Sequence, residues 1–178
     1  DARGGSAPIS NGNELLMQRT VFQSSDPPLL WLDVTAPTLE ELHTLAAHYG
    51  LHSTAVLDCL DPEHLPKYEK FGDTAFLILR VYDYAAPALA GTIQELTRKI
   101  AIFSHPGLML TIHRSDLPMV VALRERFGTA SPEERTPSTL LAALVNASLD
   151  SYERPLQHAE DALDEFETGL FRPDVRTP

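Results

Sequence analysis

The chain has 178 residues, 43% of them hydrophobic and 22% charged, which is enough for one domain with a buried core. Fourteen Lys and Arg against 25 Asp and Glu leave a formal charge of −11; this argues against nucleic acid, whose binding needs a clustered positive surface, and suits a protein that attracts cations. The single cysteine, Cys59, excludes an intrachain disulfide and a cysteine zinc site, and no run approaches the roughly 18 apolar residues that a membrane-spanning helix needs.

Residues 1–13 are polar and glycine-rich and read as a flexible N-terminus with no secretory signal. Glu14 to Phe22 reads as a first strand and Leu29 to Val34 as a second, carrying the core residue Trp31. Thr38 to Tyr49 is the clearest helix. Thr38 and Glu41 form a capping box, Leu39, Leu42, Leu45, Ala46 and Tyr49 repeat at helical spacing, and Gly50 stops it. His43 and His48 are five apart, do not share a face, and read as surface residues.

From Gly50 to Asp83 the spacing predicts a short helix, a proline-punctuated turn and a long strand. Ser53 is the expected cap, and Pro62 and Pro66 bound the helix end. Thr54, Asp58 and Asp61 fall at i, i+4 and i+7 as one polar stripe on an otherwise apolar helix. Asp58 and Asp61 stand where the helix dipole is negative. A carboxylate there is disfavoured by roughly 0.3–1 kcal/mol unless positive charge is near, so the alternatives are a solvated helix end or a place for a cation. The strand runs from about Thr74 to Tyr84, and its apolar run from Ala75 to Leu79 predicts burial on both faces. Thr97 to Phe103 and Leu108 to His113 form an antiparallel hairpin through Ser104-His105-Pro106-Gly107, and His113 reads as structural.

Leu117 to Phe127 is a helix and Gly128 to Arg135 a loop. The last element is the longest, capped by Thr136 with Pro137 in its first turn. Its apolar positions run from Leu141 to Leu170 at spacings of three and four across Pro155, which should kink the helix or split it into two, the unbroken periodicity favouring a kink. Its acids include Asp150, Glu153, Glu160, Asp161, Asp164, Glu165 and Glu167. They read as a solvated face with few basic partners, which hydrated magnesium would also neutralise. The elements together predict an α/β (α+β) class. The hairpin implies a mixed sheet. Residues 14–135 form the core, and 136–171 form a long helix packing on it. Enzyme chemistry finds no support: there is no glycine-rich phosphate loop, no nucleophile elbow, and no metal-ligand spacing among seven histidines.

Several runs, weak singly but ordered together, resemble the cytoplasmic domain of the CorA family of divalent-cation channels. They are Trp31-Leu32-Asp33, Pro37-Thr38-Leu39-Glu40-Glu41-Leu42, Gly50-Leu51-His52, Leu57-Asp58, Pro66-Lys67-Tyr68-Glu69 and Phe76-Leu77-Ile78-Leu79-Arg80. Further on come Ile102-Phe103, Leu110-Thr111-Ile112-His113-Arg114 and Asp150-Ser151-Tyr152. The resemblance implies an α/β/α sandwich in a homopentamer. That assembly would sit on the cytoplasmic face of the inner membrane and be joined to it by a stalk and membrane region beyond Pro178. It implies no enzyme but a regulatory domain, in which divalent ions held between subunits favour the closed channel. The ion is Mg2+, with Co2+ or Zn2+ as alternatives. Asp58 matches an ion-binding aspartate, with Asp61 beside it, and Asn146 matches a position that supplies an acid elsewhere in the family. Leu57 stands where an acid is common, and Leu65 where an arginine is common before Pro66-Lys67. A ZntB-like zinc transporter and a soluble acidic interaction module are the other readings.

Overall fold

Residues 17–171 are described in the computed structural model of the chain; the expected flexible segment 1–13 and the start of the expected first strand lie outside them. The fold opens with β1 (Met17–Ser25) and β2 (Pro28–Thr35), paired antiparallel with an irregularity between Thr20 and Phe22. Next comes α1 (Leu39–Tyr49), whose capping box forms as predicted. Glu41 N donates to Thr38 Oγ1 (3.3 Å) and Thr38 N donates to Glu41 Oε2 (2.6 Å). Gly50 ends the helix at φ +65°, a conformation costly for any residue with a Cβ.

The chain continues through α2 (Ser53–Leu60), β3 (Lys67–Phe71), β4 (Thr74–Tyr82), α3 (Ile93–Leu96), β5 (Thr97–His105) and β6 (Leu108–His113). It closes with α4 (Pro118–Thr129), α5 (Pro137–Asp150) and α6 (Glu153–Leu170). The sheet order is β1-β2-β6-β5-β4-β3. Only β2 and β6 pair in parallel; the predicted β5–β6 hairpin and the remaining pairs are antiparallel.

Alternation along the strands sends two apolar sets to opposite faces. On one face, Leu32, Val34, Phe76, Ile78, Ala101 and Phe103 pack under Leu42 of α1 and Val56 and Cys59 of α2. On the other, Trp31, Ile100, Ile102 and Met109 pack under Phe127 of α4 and Leu140 and Leu144 of α5. Trp31 sets its ring edge-on to Phe22 and Phe127 at 6.3 and 6.0 Å. The result is the predicted α/β/α sandwich on a mixed sheet, with both sheet faces covered.

Five details differ from the sequence reading. Lys67–Phe71 is itself an edge strand, closed by a turn in which Gly72 takes φ +58°. Lys67, Glu69 and Lys70 are charged and none of its residues is buried, so it carries only a weak apolar signal. The short helix α3 is additional, although Thr92 and Glu95 spell a second capping box. Within the apolar run Ala75–Leu79 of β4 only Phe76 and Ile78 are buried. Leu77 and Leu79 are half-buried, because helices cover their face incompletely this close to the sheet edge. Ser53 is the first residue of α2 rather than its cap; His52 takes the cap position, and no side chain caps the helix.

The last helix is two. Ser151 and Tyr152 keep right-handed dihedrals, but Tyr152 N bonds three residues back to Leu149 O (3.0 Å) and the regular ladder lapses. Pro155 has no N–H to give Ser151 O, and that carbonyl accepts from Tyr84 Oη instead (2.9 Å). The interruption therefore falls four residues before the proline. The helix α5 buries Leu140, Leu144 and Ser148, whereas α6 buries no residue.

Candidate functional site

Asp58 stands in the last turn of α2, half-buried, with its carboxylate turned toward β3. Lys67 Nζ donates to its Oδ2 (2.7 Å) and lies 3.1 Å from Glu69 Oε1. Alternation along β3 puts Lys67 and Glu69 on one face, so a single ammonium bridges two carboxylates. His64 completes the group: its Nδ1 faces the acceptor Leu65 O (2.8 Å) and so carries a proton there, leaving Nε2 3.5 Å from Asp58 Oδ1. The hydrogen bonds that Lys67 donates to Asp58 first, and then to Glu69, hold its ammonium above its ordinary pKa.

The cation expected at the end of α2 is present, but it belongs to the protein. Lys99 Nζ donates to Asp58 O (2.5 Å), Cys59 O (3.0 Å) and Asp61 O. Arg114 donates to Leu60 O (2.8 Å), and Arg80 donates to Pro62 O (3.2 Å) and His64 O (2.9 Å). These side chains from β5, the end of β6 and β4 take up the carbonyls that a helix C-terminus leaves unbonded. Burial lowers the pKa of Lys99. The same cations line a cavity of about 1060 Å³ beside Pro37, Cys59 and Pro62. Burial pushes the Cys59 thiol up to about 12, so it is an inert core group.

The three sequence-predicted site residues are not brought together within one chain. Asp61 leaves the helix at φ −73°, ψ 110°, and its Oδ1 accepts from Glu63 N (2.9 Å), so it drops out of the stripe with Asp58. Asn146 is exposed on α5, across the sheet from α2. Among the described residues no three His, Cys, Asp or Glu side chains converge as a metal site. The carboxylates of Asp58 and Glu69 are held by the Lys67 ammonium, with the His64 imidazole beside Asp58, as an ion-pair cluster within the chain. His64 and Lys99 carry no sequence signal of a role, and Lys67, although it stands in the family-like run Pro66–Glu69, has none that ties it to Asp58. Lys67 lies nine residues from Asp58 across a double-proline turn, beyond the reach of any periodicity.

A second polar group, deep in the core, is structural. The fully buried Asp33 accepts from Thr111 Oγ1 and lies 3.0 Å from His113 Nε2 through Oδ1, and accepts from Arg124 through Oδ2 (2.7 Å). Trp31 Nε1 donates to Thr111 Oγ1 (3.2 Å). His113 thereby has the structural place expected of it.

The family model described as CorA-like Mg2+ transporter protein matches residues 28–177. The chain is 30% identical over 149 residues to the cobalt/magnesium transport protein CorA of Methanocaldococcus jannaschii, covering 82% of this chain and 45% of that protein. The solved soluble domain of CorA from Methanocaldococcus jannaschii matches with a TM-score of 0.57 at 29% identity, over 80% of this chain and 55% of that one. The ZntB cytoplasmic domain of Vibrio parahaemolyticus shares the fold, with a TM-score of 0.61 at 17% identity over 78% of this chain and 55% of that one. The chain spans about half the length of the curated relatives it matches. No described helix is long and apolar enough to cross a membrane. The covered core and the matched length lead to one conclusion: this chain belongs to the CorA-like Mg2+ transporter protein family.

Proposed function

We propose that this chain is the cytoplasmic, regulatory, divalent-cation-sensing part of a CorA-like Mg2+/Co2+ channel on the inner membrane. Five copies form a ring, and residues 136–171 lead toward a stalk and membrane region. Ions held between subunits, with Asp58 as a ligand, favour the closed arrangement. When the ion concentration falls, the sites empty, acid–acid repulsion returns across a chain of charge −11, and the population shifts to the open state.

The observation that carries this reading is the carboxylate of Asp58. It is held at a partly exposed helix end by partners from its own chain, with oxygen lone pairs free for an ion that a neighbour helps to bind. Asn146, exposed across the sheet, supplies an amide oxygen to another subunit, and Asp61 lies close enough along the chain to add charge. The test is Asp58→Ala in the full-length protein. Loss of inhibition by internal magnesium is expected, and inhibition equal to that of the parent overturns the role of Asp58.

One observation favours a second reading. The Nε2 of His64 beside Asp58 is a nitrogen donor, which suits zinc better than magnesium, and the fold is shared with a ZntB domain. Ion uptake into vesicles separates a Mg2+/Co2+ channel from a zinc transporter.

A further inference from the structure

We propose that the cavity beside the end of α2 binds a small organic phosphate, its phosphate group against Arg114 and Lys99 and its body against the apolar part of the wall. The proposal is independent of the reading of Asp58 as an ion ligand.

Three cations stand in one row across the sheet. Arg80 of β4 pairs in register with Lys99 of β5. The β5–β6 register pairs Ala101 with Ile112, and two residues further out it sets Lys99 beside Arg114. Alternation puts all three on the face that α1 and α2 cover. Like charges directly opposite one another on neighbouring strands are destabilising, so the row calls for negative charge in front of it. The end of α2 meets that need only in part, because its carbonyls together carry about half a negative charge. Burial lowers the pKa of Lys99 and, although Asp61 opposes this, the charges of Arg114 and Arg80 lower it further.

The row lines the cavity of about 1060 Å³. Arg80, Arg98, Lys99 and Arg114 against Glu63 and Glu95 give that lining a charge of +2, in a chain whose total is −11. Several of these groups are already matched. Arg98 pairs with Asp83 at 2.6 Å, and the Glu95 carboxylate accepts from Gly91 N (2.9 Å) and Thr92 N (3.1 Å). Arg80 is filled by Thr97 and by the carbonyls of Pro62 and His64, so it lends charge alone. Arg114 is different. It is exposed, and among the described residues it uses only Nη2, on Leu60 O, which leaves Nε and Nη1 for an oxyanion. A guanidinium beside an ammonium suits a phosphomonoester, whose charge of about −1.5 to −2 at pH 7 matches the pair, where a carboxylate brings only one charge. The volume lies at the upper end of the range of about 300–1,000 Å³ typical of small-molecule sites, far more than a bare phosphate fills. Pro37, Leu60 and Pro62 supply apolar wall for the rest of the molecule.

The experiment is calorimetric titration of the 178-residue chain with AMP, inorganic phosphate and adenosine, in divalent-free Tris-chloride at fixed ionic strength. The proteins are the parent, Arg114→Gln, Glu63→Gln and, as a control for net charge, Arg154→Gln on α6, each first checked by circular dichroism. All three positions are exposed, so the variants keep the core intact. Saturable binding of AMP to the parent is expected, tighter than that of phosphate and of adenosine. Arg114→Gln should weaken AMP by about tenfold or more, the size of one lost charge-assisted hydrogen bond. Glu63→Gln should tighten it, and Arg154→Gln should leave it unchanged. No saturable binding of AMP overturns the proposal. So does adenosine or phosphate binding as tightly as AMP, which would remove the phosphate group or the organic body from recognition. An effect of Arg154→Gln equal to that of Arg114→Gln overturns it too, since net charge rather than a site would then be responsible.

Discussion

Replacing Asp33 by Asn keeps the shape of a fully buried side chain and removes only its charge, which makes it a sharp test of what the core network does. Oδ1 serves Thr111 and His113, and Oδ2 serves Arg124. An amide has one acceptor oxygen and one donor nitrogen. With its oxygen turned to Arg124, its NH2 faces Thr111 Oγ1 and His113 Nε2, which can meet it only as acceptors, and either way the charge opposite Arg124 is gone. Arg124 has little to fall back on. Its Nε already lacks a partner, and its other carboxylate, Asp116, is 56% exposed. Breaking a buried pair by removing one partner costs about 3–5 kcal/mol. With a urea m-value of about 2 kcal/mol/M, a loss near 3 kcal/mol lowers the urea midpoint by about 1.5 M.

The pH dependence adds a second reading of the same variant. Burial alone would raise the pKa of Asp33, but the hydrogen bond and charge of His113, with Thr111 and Arg124, outweigh it and hold the carboxyl below its ordinary value. The folded pKa therefore lies below the unfolded one, about 3.9. The stabilisation is complete above that pH and is lost as pH falls through the folded value. The gap between parent and Asp33→Asn should accordingly narrow in acid. A midpoint shift under about 0.5 M, worth about 1 kcal/mol, or a gap independent of pH, would refute the reasoning.

Lys99→Met should cost about 2–3 kcal/mol in urea denaturation, because it removes one charged donor from three carbonyls at the end of α2; a loss below about 1 kcal/mol would mean that water replaces it. Gly50→Ala places a Cβ at φ +65° and should lower stability by about 1 kcal/mol with the fold intact by circular dichroism; an unchanged thermal midpoint would show that the turn relaxes freely.

Much of this architecture is legible in the sequence because local chemistry and global fold agree. The Thr38–Glu41 box, the glycine stop at Gly50 and the hairpin through Pro106-Gly107 each specify their own backbone, and alternation from Ile100 to Phe103 assigns both faces of β5. What the sequence hides is long-range and polar. Nothing local links Asp58 to Lys67, or Lys99 to the three carbonyls it serves, because those partners meet only once β3, β4 and β5 lie side by side. The stripe Thr54–Asp58–Asp61 presupposes an unbroken helix. The backbone at Asp61 turns extended and takes the carboxylate away. The end of α2 does need positive charge, as its dipole requires, and side chains provide it.

Arg80 has one further consequence. Its guanidinium grips Pro62 O and His64 O, in the loop that carries His64 to Asp58. Its own carbonyl is gripped from behind by Ser148 Oγ (3.0 Å) and Tyr152 Oη (2.9 Å), at the root of α6. Among the described residues the helix beyond that root buries nothing, so it stands as a beam rooted there. Leverage on the beam is delivered to β4 at Arg80, and the same residue is the bracket of the loop beside Asp58. A bending load along α6 and a movement of the loop beside Asp58 thus bear on a single fulcrum.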